Sequence, residues 1–189
     1  MPKRKKSTQF VSRGGDKLNG VLADLALDVS GLVAADLGAN VGGFTDCLLQ
    51  HGVRRVYAVD TGYGVLDWKL RQDQRVVVME RTNALFVVLP EPVDVVVVDV
   101  AWTSLMRIAP VALSLLQATG YVLALLKPQY EAQDHERQKG VVLTEYVDLV
   151  VNRVIEGLAP EGVAVANCVL SKVPGSQGNR EFFLLLTCK

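Results

Sequence analysis

Cysteine, histidine and the aromatic residues are all scarce in this chain, and each scarcity closes a route. The three cysteines, Cys47, Cys168 and Cys188, lie far apart, form no C-x-x-C pair and leave one over. They suit neither a disulfide framework nor a zinc site, so no metal is expected, and a reducing cytoplasm is the compartment that fits. Of the two histidines, His51 precedes Gly52 at a helix end, where it complements the dipole, and His135 stands in a charged stretch; neither is expected as acid or ligand. No apolar run reaches the roughly 18 residues of a membrane span. The basic start Met1-Pro2-Lys3-Arg4-Lys5-Lys6 has no apolar segment behind it, which argues against export. Net charge is absent too, at +0. That removes the global basicity of many nucleic-acid binders, although a local patch is enough for binding.

What the chain has in quantity is apolar residues, 50% of 189. That suits one domain with a sheet covered on both faces. Strand patterns fall at Leu32 to Leu37, Arg55 to Val59, Val76 to Met79, Val93 to Val98, Tyr121 to Leu126, Val163 to Leu170 and Phe182 to Thr187. Helical patterns alternate with them. Ser12 caps one that runs through Leu18, Val21, Leu22 and Leu25 to near Asp28; others cover Gly43 to Gln50, Val65 to Arg71 and Ser104 to Gln117, and Thr144 caps one ending at Leu158. Five strands linked by crossovers, then a hairpin through the turn-rich Pro174 to Asn179, predict an α/β fold. Its doubly wound, mostly parallel seven-stranded sheet carries one antiparallel strand. Residues 1–10 read as a basic tail and 11–189 as the domain. Lys3, Arg4, Lys5, Lys6, Arg13 and Lys17 precede the first strand with Asp16 as the only acid among them. Such a segment either tracks a phosphate backbone or is a solvated tail.

The most informative stretch is Asp36-Leu37-Gly38-Ala39-Asn40-Val41-Gly42-Gly43-Phe44-Thr45, entered from a strand and followed by a helix. Glycine lets a backbone approach a ligand closely, and a strand end delivers the loop to the carboxyl edge of the sheet. Asp60 closes the next strand about 20 residues on, where a ribose diol wants an acceptor. A dinucleotide fingerprint, with Gly38 first and Gly43 last, needs glycine where Asn40 stands, so NAD is disfavoured. A Walker loop fails because Phe44 and Thr45 replace the lysine and hydroxyl residue that should follow Gly43. An acid at the strand end followed by a compact glycine turn suits S-adenosylmethionine, which carries no phosphate. Asp36 then faces its aminoacyl or sulfonium side. Asn83, after the third strand, has the donor and acceptor to read an adenine edge, or serves simply as a turn residue.

Asp99 and Lys127 end neighbouring strands and converge over the place of the cofactor's methyl group. A ribose hydroxyl is a poor nucleophile, and methylating it requires removing its proton, which a neutral lysine can do. Burial and a second ammonium disfavour charge on such a lysine, while a carboxylate favours it. Trp102 and Tyr130 stand beside these two residues and either stack on a base or pack in the core.

Several runs together resemble the hemolysin A (TlyA) group of FtsJ-like RNA methyltransferases. They are Val11-Ser12-Arg13-Gly14-Gly15-Asp16-Lys17-Leu18, Gly42 to Leu49, Val56 to Gly64, Asp67 to Leu70, Glu80 to Ala84, Leu126-Lys127-Pro128-Gln129 and Gly178 to Phe182. The resemblance covers nearly everything after Gln9. It implies a Rossmann-like class I methyltransferase fold and ribose 2′-O-methylation of RNA, with ribosomal RNA as the expected substrate. It also implies a tetrad at Lys17, Asp99, Lys127 and Glu181. Lys127 is then the base, Asp99 steers cofactor and amine, and Lys17 and Glu181 orient the ribose. The expected cofactor contacts are Asp36, Gly38, Ala39, Asn40, Gly42, Gly43, Phe44, Asp60, Asn83 and Asp99. Without the resemblance, Lys17 reads as a snorkelling helix residue and Glu181 as a charge guarding Phe182 to Leu186.

The chain departs from the group at Val100-Ala101-Trp102, where Val-Ser-Phe is usual, and at Tyr130, where Phe is usual. Relatives commonly carry an N-terminal RNA-binding module, and about ten residues before Val11 are too few for one. Two other readings stand beside this one. A small-molecule methyltransferase needs an apolar pocket sealed by Gln129 to Gly140, whereas RNA use needs an open basic groove through Arg13, Lys17 and Lys172. A membrane-lytic or non-catalytic RNA-binding protein needs an amphipathic or spanning segment, which is not evident, or makes no use of the polar strand ends.

Overall fold

The computed structural model describes residues 9–101 and 103–188, so the tail's Lys3, Arg4, Lys5 and Lys6, and Trp102, lie outside the described residues. In chain order the elements are α1 (Arg13–Asp24), β1 (Val33–Leu37), α2 (Gly43–Gln50), β2 (Arg55–Val59), α3 (Trp68–Arg71) and β3 (Val76–Met79). They continue with β4 (Val93–Val98), α4 (Leu105–Ser114), β5 (Leu116–Leu126), α5 (Pro128–Glu131), β6 (Arg137–Gln138), β7 (Val141–Val142), α6 (Thr144–Leu158), β8 (Val163–Leu170) and β9 (Phe182–Cys188). Seven strands form one sheet in the order β3-β2-β1-β4-β5-β9-β8. Only β9 runs against its neighbours, pairing antiparallel with both β5 and β8. The strand order reverses beside β1 and β4, and that switch point is where such sheets bind ligands.

Side chains alternate between two cores. Val33, Ala35, Leu37, Val96 and Val98 face the layer of α4 and α6; Ala34, Val95 and Val97 face α1 and α2. By the same alternation Asp36 points under α2, a carboxylate in an apolar layer. Leu18 and Leu22 anchor α1 with 0% and 2% exposure, each contributing about 1.5–3 kcal/mol. Glycine sets how closely α1 and α2 cross: a Cβ on Gly43 would lie 2.2 Å from Ser12 Oγ and 2.9 Å from Gly15 N.

Among the element boundaries that differ from the sequence reading, which include the start of β5 at Leu116 rather than Tyr121, four are explained by particular residues. α1 stops at Asp24 rather than near Asp28, because Ala26 turns left-handed (φ 49°). Ala26 N–H then bonds Ala23 O and Leu27 N–H bonds Leu22 O, closing a Schellman turn in which alanine holds the usual glycine place. The expected helix from Val65 begins only at Trp68, because Glu80 takes the amides of Gly64 (2.8 Å), Val65 (3.1 Å) and Leu66 (3.3 Å). α4 ends at Ser114 and Gln117 is already in β5, whose Leu116 pairs with Val93. Thr144 is the first residue of α6 and not its cap, which is Leu143 with no side-chain bond.

Candidate active site

Asp36 closes β1 with no exposure. Thr45 Oγ1 donates to its Oδ2 at 2.7 Å, while Oδ1 has no hydrogen-bond partner among the described residues. Burial raises its pKa from 3.8 to about 7, against the pull of Thr45; Asp99 and Asp60 add a smaller push in the same direction as burial. The glycine loop follows. Gly38 has φ 92° and its Cα sits against the Asp99 carbonyl, where a Cβ would lie 2.6 Å from that oxygen. Asn40 is also left-handed (φ 50°), a conformation asparagine tolerates. Its N–H bonds Asp60 Oδ2 at 2.8 Å, and Gly62 N–H bonds Asp60 Oδ1 at 2.7 Å. Each Asp60 oxygen therefore keeps a lone pair for a diol.

The loop, the start of α1 and the ends of β4 and β5 enclose a cavity of about 330 Å3, within the usual size range of ligand sites. Its walls include Arg13, Lys17, Asp36, Gly38, Ala39, Asn40, Gly43, Phe44, Asp99 and Lys127. Asp60 lies on the other side of Gly38, in a crevice of about 10 Å3 shared with Thr82, Ala84 and Val100. A purine fits that crevice only if its walls part. Asn83 lines neither space; its Oδ1 accepts from Leu85 N at 2.9 Å and caps the 3-10 turn Ala84–Phe86, the turn role open to it from sequence.

Four distant side chains meet in two ion pairs. Lys127 Nζ lies 2.5 Å from Asp99 Oδ1, and Lys17 Nζ lies 2.5 Å from Glu181 Oε2. Both lysines are nearly enclosed, with side-chain exposures of 12% and 10%, and Glu181 shows 3%. Glu181 does not guard β9 from solvent; it is a buried acceptor. Lys17, Asp99 and Lys127 line the cavity, and Glu181 reaches it through Lys17.

Three contacts, two on the tetrad and one on Asp36, escape pattern reading. Gln129 Nε2 donates to Glu181 Oε1 at 3.3 Å from a nearly buried position. Gly175 packs so tightly on the same carboxylate that a Cβ there would lie 2.0 Å from Glu181 Oε1. Thr45 holds Asp36 from within α2. The available signals were Gln129 two residues after Lys127, and a glycine in the turn before Glu181. Tyr130 is half exposed, with Lys127 Nζ 5.7 Å from its ring centre. His51 Nε2 pairs with Asn19 Oδ1 at 2.8 Å and His135 meets the Tyr146 ring edge-on, so both are occupied away from the cavity. Among the described residues no cluster of His, Cys, Asp and Glu could hold a metal ion.

A seven-stranded sheet of this order, with an acid and a glycine turn at the switch point, has the Rossmann-like fold of class I methyltransferases. Chains of that fold superpose at low identity, such as an S-adenosylmethionine dependent methyltransferase from Listeria monocytogenes (TM-score 0.66, 16% identical, 94% of this chain and 100% of that one). More particularly, the FtsJ-like methyltransferase pattern matches residues 10–188, and the chain belongs to that family. It is 40% identical over 186 residues to the 16S/23S rRNA (cytidine-2′-O)-methyltransferase TlyA of Mycobacterium tuberculosis, covering 94% of this chain and 68% of that protein. It is 35% identical over 180 residues to Hemolysin A of Brachyspira hyodysenteriae, covering 92% and 75%. A solved chain from Streptococcus thermophilus that carries the hemolysin name superposes with a TM-score of 0.92 at 36% identity, covering 98% of this chain and 70% of that one. Across its curated relatives the chain spans between 66% and 75% of their length.

Proposed function

We propose that this protein is an S-adenosylmethionine-dependent RNA ribose 2′-O-methyltransferase, acting on ribosomal RNA in the cytoplasm. The observation that carries the reading is the convergence of Lys17, Asp99, Lys127 and Glu181 beside the glycine loop, in two ion pairs of 2.5 Å. The names of the rRNA methyltransferase relatives point to the same substrate class. The residues present fit the cofactor. Asp36 has a buried oxygen without a partner, Gly38 allows close backbone approach, and Asp60 keeps two lone pairs.

When bound, the cofactor supplies an electrophilic methyl group on sulfonium. Asp99 holds Lys127 Nζ at the end of β5, where the amine, once it has given up its own proton, accepts the proton of the ribose 2′-hydroxyl. Asp36 and Asp60 would hold the cofactor, which would give up its methyl group to the sugar oxygen and leave as the thioether. Lys17, clamped by Glu181, presents a cation to the ribose and fixes its oxygen against Lys127. Tyr130, half exposed beside Lys127, offers a ring on which the target base can stack.

A small-molecule acceptor is the weaker reading. It needs residues 129–140 to seal an apolar pocket, yet none of them lines this cavity, whose walls carry Arg13, Lys17, Asp36, Asp99 and Lys127. Among the described residues no helix is long and apolar enough to cross a membrane. The test is transfer of labelled methyl from the cofactor to ribosomal subunits and to free rRNA, with nuclease mapping to a 2′-O-methyl nucleotide. Incorporation by wild type that is lost in Lys127→Ala supports the reading; equal incorporation by both removes Lys127 as base, and labelling of a base carbon or nitrogen removes the reaction class.

A further inference from the structure

The ladder that joins β4 to β5 stops short of the reacting pair. Its last partners are Val98 and Ala124, so Asp99 and Lys127 stand one and three residues beyond it. Strands part at such an edge to make a ligand crevice, and the backbone that follows them sets how far apart their end residues sit. Lys127 Nζ reaches the β4 side through Asp99 Oδ1 at 2.5 Å and, more loosely, through the Val100 carbonyl at 3.4 Å. A firmer tie lies farther out. Glu131, four residues past Lys127, accepts from Leu105 N–H at 2.7 Å through Oε1 and from the Ser104 hydroxyl at 2.9 Å through Oε2. Ser104 and Leu105 are the cap and first residue of α4, and Glu131 is the last residue of α5. The two segments that leave the sheet at Asp99 and Lys127 are thus closed at their far ends by one carboxylate. They enclose a space of only about 10 Å3, bordered by Val100, Thr103, Lys127 and Glu131 among others, so little slack is left.

Capping α4 does not by itself call for Glu131. Ser104 Oγ already accepts from Met106 N–H at 3.3 Å, which gives the helix a local cap. What Glu131 adds is a connection between two strand ends, and it is held from behind. Arg153 of α6 donates to Glu136 through Nη1 at 2.8 Å and Nη2 at 2.7 Å, and that Nη2 also lies 3.4 Å from the Glu131 carbonyl. Glu131 is not a wall of the cavity, so it meets neither cofactor nor ribose there.

We infer that Glu131 is a positioning residue for methyl transfer: by fastening the start of α4 to the end of α5 it fixes Lys127 against Asp99, and it acts on the reaction through that pair. The inference rests on the proposed function and adds to it the side chain that sets the base's place. Its effect belongs in turnover. Moving a reacting group by about 1 Å can cost about a hundredfold in rate while the binding surfaces stay whole.

Labelled methyl transfer to free rRNA, paired with calorimetric titration of S-adenosylhomocysteine, tests this on the whole protein. Glu131→Ala should lower kcat about tenfold to a hundredfold. Its KM for rRNA and its affinity for S-adenosylhomocysteine should stay within about threefold of wild type. Glu131→Gln should keep kcat within about threefold, since the amide oxygen still accepts from Leu105 N–H and the amide nitrogen donates to Ser104 Oγ. The double variant Ser104→Ala, Glu131→Ala should be no slower than Glu131→Ala alone, because both changes open the same tie. A role confined to capping α4 would lower the melting temperature and leave kcat intact, and that result overturns the inference. So does a loss in KM or cofactor affinity with kcat unchanged, a glutamine variant as slow as the alanine one, or losses that multiply in the double variant. If Glu131→Ala does not fold, Ser104→Ala, which removes one of the two bonds, carries the same comparison of kcat with KM. Wild-type protein that transfers no methyl to any rRNA overturns the proposed function and this inference with it.

Discussion

Burial sets Asp36 apart from Asp60 and Asp99. An acid whose folded pKa is raised holds its proton to about pH 7, while the unfolded chain releases it near 3.8. Between those values the folded state binds more protons, so this group's contribution to stability falls as pH rises from about 4 to 7 and levels off above. Asp36→Asn removes the titration; the variant's melting temperature should change less across that window than wild type's, and should exceed wild type's at pH 8. A wild-type melt that climbs steadily from pH 4 to 8, unchanged in shape by the substitution, would contradict this. For Lys127, exchange to alanine should cost roughly a hundredfold to ten-thousandfold in methyl transfer while S-adenosylhomocysteine affinity stays within a few-fold, since the side chain acts on the acceptor. Gly175→Ala tests the clamp on Glu181. Its backbone suits alanine, at φ −69° and ψ −168°, so the cost comes from a Cβ 2.0 Å from Oε1. We expect about 1–3 kcal/mol of lost stability and a fall in turnover with cofactor affinity retained; unchanged turnover would show that Glu181 tolerates displacement.

The elements that deliver these side chains were legible from sequence to different degrees, for physical reasons. β1, β2 and β4 are short apolar runs buried on both faces almost throughout, β3 is a partly exposed edge strand, and all four end where the residue pattern says. The helix ends were less legible, because a Schellman turn built on Ala26, a residue that does not announce a left-handed conformation, and a carboxylate from Glu80, 14 to 16 positions away, override the apolar spacing. The tetrad emerged through family resemblance and not through residue chemistry, since Lys17 and Glu181 are 164 positions apart and each reads alone as structural. Asn179 stood in the sequence as a turn residue and a member of the Gly178 to Phe182 run, with no role of its own, yet it ties two loops. Its Oδ1 accepts from Val142 N at 3.2 Å, and its Nδ2 donates to Gly140 O at 3.0 Å and Ser176 O at 3.1 Å. It so joins the β6–β7 hairpin to the loop that carries Gly175 and leads to Glu181. Asn179→Ala should cost about 2–3 kcal/mol, at roughly 1 kcal/mol per net bond lost. It should also raise amide exchange in residues 137–142 well above that in β4 and β5; uniform exchange across the chain would mean the hairpin is held by other contacts.

For the molecule as a whole, the distribution of charge decides how it meets a polyanion. Ten of the fifteen lysines and arginines among the described residues lie within ion-pairing distance of a carboxylate, including Lys17, Lys127 and Lys172, the last with Asp24. The basic groove expected through Arg13, Lys17 and Lys172 is therefore largely neutralised: two of its three cations are committed to Glu181 and Asp24. Arg13, Arg54, Arg81, Arg107 and Lys139 remain for phosphates, with Arg81 stacked 4.0 Å over the Tyr63 ring. Binding of single-stranded RNA falls with salt at about 0.7 in log units per phosphate neutralised. With Lys3, Arg4, Lys5 and Lys6 replaced by alanine, the five unpaired cations of the described residues and Lys189 cap the slope of log affinity against log salt near about −4. The wild-type slope should be steeper by the number of tail cations that touch RNA. Fluorescence anisotropy of a labelled RNA across a salt series reads both slopes. A slope near about −6 in the substituted protein would show that the ion pairs of the body open to recruit RNA, and equal slopes in both proteins would show that the basic tail makes no phosphate contact.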